Sequence, residues 1–242
     1  MPKNNNYQCV GRFSGREESF NQGELLRKKV ILQEAACNGI SLLMVKNKLQ
    51  PESTSPFVAV KYAASFFKKE GTSELNMLQS LTFLNQLYLI TSVQKKHNKN
   101  FQFEAFLNEN ECRMAGKAQD IPTYKGLLTL IARNPANIYY IVGDCEGVAD
   151  GKQYSGAHAF VIIADEKNQE YEFFEANRGR AVFPSKEHLL SWLAEEIELG
   201  AMPELRTLSE VREGVTRQYT SFDCAAYTHP TLAAHERLVA KL

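Results

Sequence analysis

The sequence predicts an α+β fold, in which helices come first and a largely antiparallel sheet follows, with late helices packed on it. Apolar residues recur at helical spacing up to about residue 100. Beyond that point the chain changes to short runs rich in aromatic and β-branched side chains, several of them alternating. No long Pro- or Gly-rich linker separates the two halves, so they are expected to form one domain.

The elements follow in order. Residues 1–20, rich in Asn, Gly, Ser and charge, read as a flexible N-terminal arm, with the domain occupying 21–242. Residues 22–49 carry a helical pattern that can break near Glu34–Cys37. Its second part, Asn38 to Leu49, is apolar nearly all round and so is expected to be buried on several sides. Ser55 and Pro56 suit an N-cap and a first-turn proline, opening a helix to Lys69 that Gly71 closes. Ser73 caps a further helix to Lys96. FQFEAF at 101–106 alternates as a strand does. Pro122 to Arg133 reads as a short helix stopped by Asn134–Pro135. Strands are expected over 137–142, 156–164, 170–176 and 180–183, then a helix from Ser185 to Leu199 ended by Gly200. Residues 204–222 read as a β-ribbon, and Pro230 opens a terminal helix.

Composition excludes several classes of function. With 44% hydrophobic residues among 242, the chain can bury a substantial core. Twenty-eight basic residues balance 28 acidic ones, which argues against nucleic acid as a partner, since phosphate binding needs a clustered basic excess. The 5 cysteines, at 9, 37, 112, 145 and 224, are odd in number and share no spacing, so no disulfide framework is expected and the working environment reads as reducing. With no Cys-x-x-Cys pair and no tight His/Cys cluster, no metal or other cofactor is expected. No apolar stretch is long enough for a membrane span, and the polar N-terminus lacks the apolar region of a Sec-type signal peptide.

Two residues attract chemistry. GAHAFVIIA and EYEFFEA flank a polar stretch, Asp165–Gln169, and read as a hairpin. With a two-residue loop at Glu166–Lys167, His158 faces Glu175, Phe160 faces Phe173 and Ile162 faces Tyr171, all on one face. An acid there can accept from one imidazole nitrogen and free the other for a nucleophile. Asn177, two residues on, could serve instead; an odd-numbered loop would spoil the pairing. Cys37 precedes the apolar helical run, where the positive end of the helix dipole lowers a thiol pKa. Its backbone N–H can help bind an oxyanion, and Gly39 allows close approach of another chain. Taken alone, each has a plainer reading: His158 a packed strand histidine, Cys37 a small buried hydrophobe. His97, His188, His229 and His235 sit in polar settings, and Trp192 falls at core spacing with Leu189. The remaining cysteines lack an acid–base neighbourhood, and Asp144 and Glu146 would raise the Cys145 thiol.

One Cys followed far downstream by a His and then an acid or amide is the order of a papain-like nucleophile. More specifically, Ala36-Cys37-Asn38-Gly39-Ile40-Ser41-Leu42 resembles the nucleophile box of the YopT-type cysteine peptidases, bacterial virulence effectors with a papain-like fold. Gly156-Ala157-His158-Ala159 resembles their histidine strand. Phe173-Phe174-Glu175-Ala176-Asn177-Arg178-Gly179 resembles their Phe-Phe-Asp-Pro-Asn-x-Gly segment, with Glu175 in place of Asp and Ala176 in place of Pro.

The resemblance implies a cysteine protease with Cys37 as nucleophile, His158 as base and Glu175 or Asn177 as third member. Papain-like enzymes also draw an oxyanion donor from a side-chain amide upstream of the Cys, and Gln33 is the nearest candidate. The implied substrate is a host protein, met in the host cytosol after secretion by a specialised bacterial system. A monomer is expected. Two alternatives stay open: a glutamine deamidase or acyltransferase using the same three residues, and a catalytically inactive binding module, which the Glu175 and Ala176 departures keep in view.

Overall fold

The β-branched and aromatic runs of the second half form the strands, in keeping with their fit to a pleated, half-buried surface. The computed structural model describes residues 7–22, 37–49, 107, 112–134, 138–149, 152–199, 202 and 217–228. In chain order these hold a short 3-10 helix at Val10–Phe13, β1 at Arg16–Ser19, α1 at Cys37–Leu49, β2 at Arg113–Ile121 and α2 at Tyr124–Arg133. They continue with β3 at Ile138–Ala149, β4 at Lys152–Asp165, β5 at Glu170–Glu175, β6 at Gly179–Phe183, α3 at Lys186–Glu198 and β7 at Arg217–Thr228. The class is α+β, as the sequence predicts. The expected helices over 55–69 and 73–96, the strand at 101–106, the terminal helix from Pro230 and Gln33 lie outside the described residues.

The described strands make one seven-stranded sheet in the order β1-β6-β5-β4-β3-β7-β2. Every neighbouring pair is antiparallel. Helices cover both faces. On one, Ile40, Leu43 and Val45 of α1 pack with Tyr140, Val161, Phe174 and Tyr227. On the other, Leu127 and Ile131 of α2 and Leu189 and Trp192 of α3 pack with Tyr139, Phe160, Ile162 and Phe173. Alternation along β3 and β4 produces this division, since odd and even positions point to opposite faces. α3 starts at its expected cap, with Ser185 Oγ accepting from His188 N at 3.2 Å, while α2 starts at Tyr124 instead of Pro122, with Thr123 Oγ1 accepting from Gly126 N at 3.0 Å.

Two expectations need correction, and one strand was not expected. Residues 7–20 are not a detached arm. Tyr7 is buried edge-on against Trp192 and Phe173, at ring separations of 5.2 and 6.0 Å. The buried Glu196 carboxylate accepts the N–H groups of Gln8 and Cys9, both at 2.8 Å, and β1 pairs with β6. Composition hid this because a few apolar residues, Tyr7, Val10 and Phe20, supply the anchoring within a polar segment. Second, β2 has no strand signature: RMAGKAQDI is largely exposed and low in β propensity. It is an edge strand held by pairing with β7 across two irregularities, at Met114/Gly116 and Ala118/Ile121. Third, the β4–β5 register is displaced by two. Glu175 faces Phe160, and Ile162 faces Phe173.

The turn explains that displacement. Four residues, 166–169, connect β4 and β5 instead of two. Asp165 Oδ1 accepts from the N–H groups of Lys167 and Asn168, each at 3.1 Å, and Gln169 adopts a left-handed φ of 52°. An even displacement leaves every side chain on its expected face, so the pattern that located the hairpin survives the change.

Candidate active site

Cys37 lies in α1, and Cys37 through Lys46 are all buried. The described part of this helix is therefore enclosed, with the turn from Cys37 to Ile40 inside the protein. Tyr140 on β3 stands beneath this turn and donates from its Oη to Asn38 Oδ1 at 3.3 Å.

His158 lies on β4 beside Gly143 of β3. Because of the register it sits diagonally from Glu175 instead of opposite it. The reach of a glutamate spans that diagonal, and His158 Nε2 and Glu175 Oε1 meet at 2.5 Å. The carboxylate is enclosed, its side chain 3% exposed. It also accepts from Asn177 N at 2.9 Å and from Arg178 Nη1 at 3.4 Å. The Cys37 thiol lies close enough to the His158 ring for a hydrogen bond and charge to act between them.

The electrostatics follow from these contacts. Burial disfavours the Cys37 thiolate, but the hydrogen bond and charge of His158, with the Ala159 N–H, outweigh it and lower the thiol pKa. For His158, burial disfavours the charged ring, yet the Cys37 and Glu175 hydrogen bonds and charges raise its pKa from 6.5 to about 10. Glu175 is held below its ordinary value against burial by His158, Arg178 and the Asn177 N–H. Each shift favours the charged form of its group: thiolate at Cys37, imidazolium at His158 and carboxylate at Glu175. The other described cysteines behave oppositely: burial pushes Cys9 and Cys112 to about 11 and Cys224 to about 12.

Cys37, His158 and Glu175 are thus brought together. Asn177 meets the group differently from what its sequence position suggests: its backbone N–H serves Glu175, while its side-chain oxygen accepts from Gln22 Nε2 at 2.8 Å. Gln33 lies outside the described residues. Sequence reasoning missed Arg178, whose position three residues after Glu175 is a detectable signal, and Gln22, which had none. Among the described residues no group of three or more His, Cys, Asp or Glu side chains gathers as metal ligands would. No described helix is long and apolar enough to cross a membrane.

No protein-family model and no curated protein matches the chain. Among solved structures, it is similar to PatoxP, a cysteine protease-like domain of the Photorhabdus asymbiotica toxin PaTox, with 12% identity over 90% of this chain and a TM-score of 0.41. The chain spans 55% of the length of that one. It is similar to the Pseudomonas avirulence protein AvrPphB, with 9% identity, 90% of this chain and 98% of that one covered, and a TM-score of 0.43. A third is the YopT domain of the Pasteurella multocida PfhB2 toxin, with 14% identity, coverage of 86% and 97%, and a TM-score of 0.26.

Proposed function

We propose that the chain is a papain-like thiol hydrolase, a cysteine peptidase with Cys37 as nucleophile, His158 as acid–base and Glu175 as the residue that orients the ring. One observation carries the reading. Among the described cysteines, Cys37 alone has its thiol drawn below the ordinary value, and what draws it is a histidine held by a buried carboxylate.

The chemistry follows from the contacts. The Cys37 thiolate attacks a carbonyl carbon, forming a C–S bond while the carbonyl electrons move to oxygen. The backbone N–H of Cys37 is a donor for that oxyanion. As the C–N bond breaks, the His158 imidazolium gives its Nδ1 proton to the leaving nitrogen. Neutral His158 then takes a proton from water, whose oxygen displaces the sulfur and releases a carboxylic acid. Glu175 keeps its charge throughout and holds Nε2 in place. Gln33 is proposed as a second oxyanion donor, and Asn177 as support for Glu175. From the three sequence boxes, the substrate is a peptide bond of a host protein and the chain a secreted bacterial effector acting in the host cytosol.

The test has two parts. Iodoacetamide alkylation of Cys37 should persist well below the free-thiol pKa of about 8.5; an inflection at or above that value refutes the reading. Incubation with host-cell extract should generate new N-termini that Cys37→Ser, folded as judged by its melting temperature, does not produce. A mass shift without chain scission would instead identify the deamidase alternative.

A further inference from the structure

We infer that Gln22 is a positioning residue for this site: together with Phe20 and Tyr7 it clamps the turn from Glu175 to Gly179, and so sets how Glu175 meets His158. The inference rests on the catalytic reading above.

The N-terminal segment runs directly along this turn. Phe20 N donates to Arg178 O at 3.1 Å, and Gln22 N to Ala176 O at 2.7 Å. Tyr7 Oη donates to Gly179 O at 3.0 Å. The approach is close enough to require glycine: Gly179 has φ +113°, and a Cβ there would lie 2.1 Å from Glu18 O and 2.6 Å from Phe20 N. Gln22, 6% exposed, adds its side chain by donating from Nε2 to Asn177 Oδ1 at 2.8 Å.

The residues so held are those that fix Glu175. Asn177 supplies the N–H on Oε1, and Arg178 the guanidinium on Oε2. Arg178 N also donates to Glu175 O at 3.2 Å, closing the turn. Oε1 is the atom that meets His158 Nε2. Contacts therefore run without a gap from Gln22 through Asn177 and Glu175 to His158. Tyr7 lies near enough to feel the Glu175 charge, which helps raise its phenol pKa after burial. A site needs its members held within fractions of an ångström by packing and hydrogen bonds around them, and here a segment more than 150 residues upstream provides that support.

The test uses Gln22→Met, which keeps the volume and removes the donor, in the full chain. Cys37 is alkylated across pH with iodoacetate and with iodoacetamide. The anionic reagent is favoured while His158 is an imidazolium, so the fall in the rate ratio at alkaline pH reports the histidine. In Gln22→Met that fall should move to lower pH, with the ratio on the limb down roughly two- to tenfold, the worth of one hydrogen bond. A folded Gln22→Met whose profile overlays that of the unaltered protein overturns the positioning role. Glu175→Gln separates the two ideas. If it displaces the profile while Gln22→Met does not, the catalytic reading stands and this inference falls. If neither displaces it, both fall. Should Gln22→Met not fold, Tyr7→Phe removes the bond to Gly179 O while keeping the ring, and an unmoved profile there overturns the inference.

Discussion

Replacing Glu175 by glutamine removes a charge and almost none of the shape, so it isolates what the carboxylate does to His158. The ring pKa stands at about 10 against an ordinary 6.5, which corresponds to roughly 5 kcal/mol in favour of the imidazolium. Cys37 contributes the leading hydrogen bond and Glu175 the next, with charge from both. A glutamine oxygen can still accept from Nε2, so only the part due to charge is lost. We expect that part to be about 2 kcal/mol, roughly thirtyfold in imidazolium population. Because the folded pKa is raised, this stabilisation is whole below about 6.5 and disappears as pH climbs through about 10. Glu175→Gln should therefore lower the melting temperature most near pH 6 and least near pH 10, while moving the alkaline limb of the iodoacetate profile down by more than one pH unit. Melts at the two pH values and the two-reagent alkylation profile read both effects. Superimposable profiles and equal melting temperatures would refute the electrostatic reasoning.

Other outcomes follow from the same contacts. At neutral pH a limiting dose of iodoacetamide should label Cys37 ahead of Cys9, Cys112 and Cys224, whose thiols burial raises to about 11, 11 and 12. Peptide mapping by mass spectrometry checks this, and preferential labelling of any of the three would count against it. Gly143→Ala should destabilise the fold by about 1–3 kcal/mol, because a Cβ there would lie 2.3 and 2.4 Å from two Tyr219 ring atoms and 3.1 Å from Phe222. Since Gly143 pairs with His158, the variant should also slow Cys37 alkylation; denaturant melts and labelling rates measure the two effects. A melt unchanged from the unaltered protein would show that the Tyr219 ring gives way freely.

Much of the fold was legible because local rules and tertiary packing agree. The caps at Thr123 and Ser185 satisfy helix N–H groups within one turn, and no distant residue is needed. The apolar runs over 137–142, 156–164 and 170–176 became β3, β4 and β5 because runs of that composition have few other ways to be buried. Trp192 reached the core at the spacing expected of it. Where local signal was weak, the reading went astray. β1 and β2 are charged edge strands, for which exposure favours a polar composition and only the neighbouring strand imposes extension.

What the sequence determined by itself was the parity of the site: Cys37 ahead of a buried helix, and His158 and Glu175 on one face of a hairpin. That parity follows from the period of two in a strand for any turn of even length, and the burial of α1 from its all-round apolar character. A local turn built on the Asp165 side chain set the register, and tertiary structure then decided the diagonal that the extra methylene of a glutamate spans. It also decided that Gln22, far away in sequence, should brace the turn carrying that glutamate. Such a contact depends on where two distant backbones come to lie, and no local pattern in either segment encodes it.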